Sequence, residues 1–239
     1  LGVEAFLYCE SLTEITIPKS LTVCGVDIFS GCSNLKTINF EKGITTIPES
    51  LFEGTEKGFD WYLDGLEEID IPETVTTIGS GAFYNCKNLT TVTGMKNVTE
   101  IGWSAFSGCN KLVNINLPSK LRKLSGLTFM NCKNITEITI PKTLTDCGYG
   151  IFSGCSNLKT INFEKGISVI PSNLFRGAEE YGYSWFDGLE EIDIPETVTT
   201  IGMKAFENCK NLTTVTGMKN VTEIGDNAFY NCSNLKEIT

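Results

Sequence analysis

Apolar and polar residues recur along this chain with one short period. Counting Cys9 as position 1, Leu12, Ile15, Ile17 and Leu21 fill positions 4, 7, 9 and 13. The same spacing returns at Leu35, Ile38, Phe40 and Ile44, and again at Leu112, Ile115, Leu117 and Leu121. Position 21 is Phe throughout: Phe29, Phe52, Phe83, Phe106, Phe129, Phe152, Phe175, Phe206 and Phe229. The unit reads C-x-N-L-T-x-I-x-I-P-x-x-V-T-x-I-G-x-x-A-F-x-x, 23 residues long. Alternating β-branched residues around positions 7–9 predict a short strand. The following Pro ends it, because Pro has no N–H to give to a ladder. V-T-x-I-G predicts a second short extended piece closed by a glycine turn. The A-F stretch is too short for a stable helix and predicts a single helical or 3₁₀ turn. One such coil cannot bury its own edges. Coils must therefore stack, pairing strands in parallel and aligning Leu, Ile and Phe into ladders.

The cysteines mark the register. Cys9 and Cys32 are 23 residues apart, as are Cys86, Cys109, Cys132 and Cys155 in succession, and Cys209 and Cys232. The two remaining gaps are 54 residues, or 23 + 23 + 8, so each hides one coil that lacks the Cys and carries eight extra residues. A longer period of 123 residues repeats whole phrases: "CSNLKTINFEKGI" at 32 and 155, "GLEEIDIPETVTTIG" at 65 and 188. Residues 1–239 are thus expected to form a single solenoid, a fragment of a longer chain. It divides into two five-repeat blocks, 1–123 and 124–239, with insertions at about 56–63 and 179–186.

L-x-x-L-x-L with a period in the low twenties is a leucine-rich-repeat pattern. With "AFYNCKNLTTV" (82–92), "AFSGCNKLVNINLP" (105–118) and "IFSGCSNLKTINF" (151–163), the chain resembles the BspA-like leucine-rich repeats of bacterial and protozoan surface proteins. The resemblance implies a right-handed leucine-rich-repeat solenoid. Its parallel β-sheet lies on the concave face, with turns and single helical turns elsewhere and little regular helix. It also implies a secreted or cell-surface protein that binds host or neighbouring-cell protein, or glycan, rather than an enzyme.

Charge and composition narrow the chemistry. The formal net charge of −10 and the lack of a basic block disfavour nucleic acid. No apolar run is long enough to span a membrane. Histidine is absent, which removes the usual general base and the commonest metal ligand. No catalytic residue, cofactor or metal is expected. Eight cysteines (Cys9, Cys32, Cys86, Cys109, Cys132, Cys155, Cys209, Cys232) fall one per coil and are read as a structural ladder of buried free thiols. Bridges between neighbours would need an awkward torsion. A one-per-coil row gives no tetrahedral zinc site. The sequons at Asn88, Asn97, Asn134, Asn211, Asn220 and Asn231 arise from the repeat consensus and are not expected to carry glycan.

Two regions are candidates for partner binding. Positions 5, 6 and 8 should point out of the strand sheet as a Thr-rich face. The insertions break the pattern with aromatics: Phe59, Trp61 and Tyr62 in the first, Tyr181, Tyr183 and Trp185 in the second. Each precedes an acidic strand, with Glu68 and Asp70 in one and Glu191 and Asp193 in the other. Trp and Tyr are the residues enriched at binding hot spots. Alternatively the aromatics fold back over the coil that lost its Cys, with Leu63 and Phe186 taking that position. A calcium site from Asp60, Asp64, Glu68 and Asp70 lacks the D-x-D-x-D-G spacing. A glycosidase pair from Glu68 and Asp70 would stand on an open face, with nothing to separate their two pKa values. A structural stalk is the other reading for the whole.

Overall fold

A computed structural model describes residues 1–54, 63, 65–113, 115–177 and 186–239. Phe59, Trp61, Tyr62, Tyr181, Tyr183, Trp185, Asp60 and Asp64 lie outside the described residues. The chain is a parallel β-solenoid whose coils follow the 23-residue unit. Its first strand line is β1 (Glu14–Ile17), β2 (Thr37–Phe40), β4 (Glu68–Asp70), β6 (Thr91–Thr93), β9 (Glu137–Ile140), β11 (Thr160–Phe163), β13 (Glu191–Asp193), β15 (Thr214–Thr216) and β17 (Glu237–Ile238). The second is β3 (Thr46–Ile47), β5 (Thr77–Ile78), β7 (Glu100–Ile101), β8 (Lys123–Leu124), β10 (Asp146–Cys147), β12 (Val169–Ile170), β14 (Thr200–Ile201) and β16 (Glu223–Ile224). All pairings are parallel and join equivalent positions, such as Ile15 with Ile38 and Ile78 with Ile101. Both strands predicted for the unit are therefore present. Coils are numbered below from the one that begins at Cys9.

A third line of backbone bonds runs through the Phe turns, as in Phe83 N–H to Ala105 C=O (2.8 Å) and Phe106 N–H to Thr128 C=O (2.9 Å). The expected helical turn is absent here. Each A-F segment is instead a run of tight turns, interrupted by residues in the left-handed region at positions 19 and 23. Ser104 (φ 52°), Leu127 (φ 56°) and Lys204 (φ 58°) sit at the first; Asn85, Asn131 and Asn208 sit at the second. A helix cannot run through such residues. The 3₁₀ turns occur elsewhere, at Met95–Asn97 and Met218–Asn220, where Gly-Met-Lys-Asn replaces the I-P-x-x phrase.

Inside, the Phe residues form one stacked column. Phe83 and Phe106 lie 5.1 Å apart and parallel within 2°, and Phe206 and Phe229 lie 5.1 Å apart within 1°. Leu at position 4 and the apolar residues at positions 13 and 16 complete the core. Leu63 and Phe186 fill the missing cysteine positions, both buried at 1% exposure. Phe186 packs between Phe152 (6.0 Å) and Phe175 (6.1 Å). The eight extra residues of each insertion therefore lie between Gly54 and Leu63 and between Gly177 and Phe186.

The ladders are interrupted at places the sequence explains. The second line is continuous from β3 to β10 and from β12 to β16, but no pairing joins β10 to β12, and no strand of the first coil pairs with β3. At most junctions a glycine at position 17 donates to the preceding coil, as Gly102 N–H does to Ile78 C=O (2.8 Å). At these two junctions the residue is Pro48 or Pro171, which has no N–H. The Asn173 side chain reaches the Cys147 carbonyl instead, at 3.4 Å. The first line is interrupted one coil later, between β2 and β4 and between β11 and β13, where the insertions enter, and also between β6 and β9, where the described residues of the fifth coil form no first-line strand.

Candidate functional site

The strand face carries the acidic candidates. Positions 5, 6 and 8 point outward as expected: Glu67, Glu68 and Asp70 are exposed, and so are Glu190, Glu191 and Asp193. Period-2 alternation puts Ile69 and Ile192 into the core and their neighbours into solvent. Asp70 accepts a hydrogen bond from the Thr93 hydroxyl at 2.7 Å, and Asp193 from the Thr216 hydroxyl at 2.6 Å. Both aspartates are thus tied to the next coil. Glu190 is ion-paired with Lys159. The interruption between β2 and β4 leaves a cleft of about 280 Å³, lined by Lys36, Thr37, Glu68, Asp70, Thr91 and Thr93. Glu68 and Asp70 stand there on an open surface beside a lysine and threonines. The acidic strands thus adjoin both insertion points, and Glu68 with Asp70, and Glu191 with Asp193, share one face. The aromatic candidates of the insertions are not among the described residues.

The cysteine row is structural, and in a way spacing alone did not reveal. All ten cysteines are free. Each buried ladder thiol donates to the carbonyl of the Phe one repeat before the Phe that immediately precedes it in sequence: Cys109 to Phe83 (3.2 Å), Cys132 to Phe106 (3.1 Å), Cys155 to Phe129 (3.0 Å). At Phe83, Phe106 and Phe129 the same carbonyl also accepts the N–H of the cysteine three residues on, so both its lone pairs are used. A signal for this existed in the 26-residue separation of Phe and thiol partner, one period plus a turn, which becomes 34 where an insertion intervenes, as from Phe52 to Cys86 and from Phe175 to Cys209. Burial pushes these thiols up, Cys155 to about 12 and Cys232 to about 11. Thiolate chemistry at neutral pH is correspondingly suppressed. Among the described residues, no group of three or more His, Cys, Asp or Glu is placed to hold a metal ion. Nor is any of their helices long and apolar enough to cross a membrane.

Sequon side chains are likewise engaged. Asn97 and Asn220 donate to the Glu73 and Glu196 carbonyls at 2.8 Å, and Asn211 donates to the Asp187 carbonyl at 2.9 Å. They serve as cross-coil bonds of the solenoid.

One cluster is hidden in the sequence because its members occupy variable positions of the unit, Trp103 and Tyr149 at position 18 and Arg176 and Glu207 at position 22. Trp103, 39% exposed, meets Tyr149 edge-on at 5.1 Å. The Arg176 guanidinium lies over the Tyr149 ring at 5.4 Å and pairs with Glu207, which Lys204 also approaches at 3.7 Å. Gly126 makes room for the indole: a Cβ there would lie 2.4 Å from the ring. Tyr149 also covers a small satellite core of Leu127 and Met130.

Comparison with known proteins agrees with this architecture. The sequence profile described as "BspA type Leucine rich repeat region" matches in six copies, over residues 1–61, 56–181 and 179–239. The crystal structure of a T. pallidum leucine-rich repeat protein is similar, at 27% identity and a TM-score of 0.53, over 73% of this chain and 80% of that one. A leucine-rich cell surface protein from Faecalibacterium prausnitzii aligns at 23% identity and a TM-score of 0.42, over 100% of this chain and 82% of that one. The pneumococcal vaccine antigen PcpA aligns at 19% identity and a TM-score of 0.48, over 90% and 68%. No curated protein matches the chain.

Proposed function

Since the chain belongs to the BspA-type leucine-rich repeat family, we propose that it is a non-enzymatic, cell-surface binding module for host or neighbouring-cell protein. The contact surface in this reading is formed by the two inserted segments together with strands β4 and β13. One observation carries it. The coils spend their apolar residues on packing against one another, whereas the insertions add Trp and Tyr beside exposed acidic strands at two equivalent places five coils apart. At the usual strand spacing those places are about 24 Å apart, a separation one protein partner can span. Net charge of −10 favours a partner with basic surface.

Alanine at Trp61 and Trp185 tests this. The double variant should keep the thermal midpoint of the parent and lose at least about tenfold in affinity for a matrix protein that the parent retains, as loss of a hot-spot residue does. Equal binding by parent and variant would remove the insertions from the contact. A parent that binds nothing across matrix proteins and glycans would favour a stalk that spaces another domain from the cell.

A further inference from the structure

Coils 1–4 and 6–9 repeat one another at an offset of 123 residues, so each set is a control for the other. At the outward positions 5, 6 and 8 of the first strand line the two sets are identical, from Thr13 and Thr136 to Thr93 and Thr216. They differ along the second strand line and the turn that follows it. There Thr46, Glu49 and Ser80 of the first set stand against Val169, Ser172 and Met203 of the second. Beside them, Glu53 and Gly81 stand against Arg176 and Lys204. Two acids are added on this edge of the second set near these residues, and each has a basic neighbour. Glu207 pairs with Arg176 (2.5 Å) and lies 3.7 Å from Lys204. Asp146 stands beside Lys123 in the ladder.

The difference falls on the break at Pro171. A cleft of about 480 Å³ opens there across coils 6–9, lined by Val169, Pro171, Ser172 and Met203 among others. Val169 is 45% exposed and Met203 46%. Elsewhere the position 15 N–H donates to the position 14 carbonyl of the preceding coil, as Glu100 does to Thr76 (3.3 Å) and Asp146 to Arg122 (3.0 Å). No such bond joins Val169 to Thr145, and both residues line the cleft. Lys142 lines it as well, and Glu223 stands at the far end, in coil 9. In the first set, Glu41 takes both the N–H (2.9 Å) and the ammonium (3.8 Å) of Lys19. In the second, Glu164 takes the Lys142 N–H (2.9 Å), and the Lys142 ammonium has no carboxylate partner among the described residues.

We propose that this cleft binds an extended, acidic peptide segment of a partner protein. One large apolar side chain of the segment packs against Val169, Pro171 and Met203. A carboxylate beside it pairs with Lys142, and the segment's backbone takes up the Val169 N–H and the Thr145 C=O. The cleft volume suits one such side chain with its flanking backbone. Main-chain bonds to an open strand edge with a pocketed side chain are a general mode of peptide recognition. Charge sets the preference for acid, since the cleft offers an unpaired ammonium where the segment's acidic residue lies. The break at Pro48 lacks the same backbone bond, between Thr46 and Thr22, but presents Thr46, Glu49 and Ser80. An apolar, acidic segment finds neither packing nor charge there. This surface uses the second strand line, not the insertions or strands β4 and β13, and it takes a partner of the opposite charge.

A phage-displayed library of random heptapeptides, selected on the 239-residue chain, tests this. Enriched peptides should carry a large apolar residue next to Asp or Glu. Their synthetic, fluorescein-labelled forms are then titrated by fluorescence anisotropy against the parent and two variants. V169T/S172E/M203S installs the residues of the first break. It should keep the parent's thermal midpoint, because Val169 and Met203 are exposed, and bind at least about tenfold more weakly, as loss of a pocketed anchor does. K142Q should weaken the acidic peptide and leave its amide form, with Asn or Gln for the acid, bound as by the parent. Selection that enriches no peptide, or peptides without this composition, overturns the proposal. So does a triple variant or a K142Q protein that binds the acidic peptide as tightly as the parent.

Discussion

Phe106→Ala should lower the stability of the chain by about 3–5 kcal/mol, the cost of truncating a fully buried Phe whose site cannot collapse. Phe106 has no exposed surface. Its ring sits in the middle of the column, 5.1 Å from Phe83 and 5.7 Å from Phe129. Closing the void would require the coils to approach, and they are held apart at strand spacing by backbone bonds. Those bonds include Phe83 to Ala105 and Phe106 to Thr128 in the turns and β7 to β5 and β8 in the second line. The position control is Phe229→Ala in the last full coil, where the Phe is only partly buried and the site can relax. Urea unfolding followed by circular dichroism should give a clearly smaller loss there. Equal losses at the two sites would contradict a column whose rigidity comes from coils on both sides.

Gly94→Ala should cost about 2–4 kcal/mol, from the left-handed backbone and from overpacking against neighbouring backbone. Gly94 replaces the usual apolar residue at position 9 and has φ 77°. A Cβ there would lie 2.0 Å from the Ile71 carbonyl oxygen and 2.7 Å from the Asp70 carboxylate that receives the Thr93 hydroxyl. The carbonyl cannot move without disturbing the β4–β6 pairing, and the carboxylate cannot move without giving up the Thr93 hydroxyl. Gly43 separates the two contributions. Its φ is 91° but nothing lies within 4 Å of the added atom, so Gly43→Ala should cost only the left-handed strain, about 1–2 kcal/mol. Thermal melts of both variants, run together, check the difference.

These two cases also show which features the sequence made legible. The Phe column, the Leu ladder and both strand lines follow from one period, because each position repeats and its burial repeats with it. The failed helical turn has a local cause. Positions 19 and 23 must adopt positive φ, and while Asn and Gly advertise that, Leu127 and Lys204 do not. Pro48 and Pro171 were readable as punctuation. Their effect depends on pairing, since the missing N–H matters only because a glycine N–H bonds the previous coil at other junctions. Of the candidate site, the acidic strands were legible as outward-facing positions. The threonine partners of Asp70 and Asp193 were not, because they come from the following coil at an offset of 23 residues. The Trp103–Tyr149–Arg176 group was hidden for another reason, since positions 18 and 22, which it occupies, vary from coil to coil.

The central claim is that a self-sufficient scaffold carries two added recognition segments. Deleting residues 55–62 and 178–185 joins Gly54 to Leu63 and Gly177 to Phe186 and restores the 23-residue period. Surface plasmon resonance against a panel of immobilised matrix proteins, with a thermal melt of each sample, measures both halves of the claim at once. The expected result is a thermal midpoint no lower than the parent's together with loss of whatever binding the parent shows. A deleted chain that melts well below the parent, or that binds as the parent does, would contradict it.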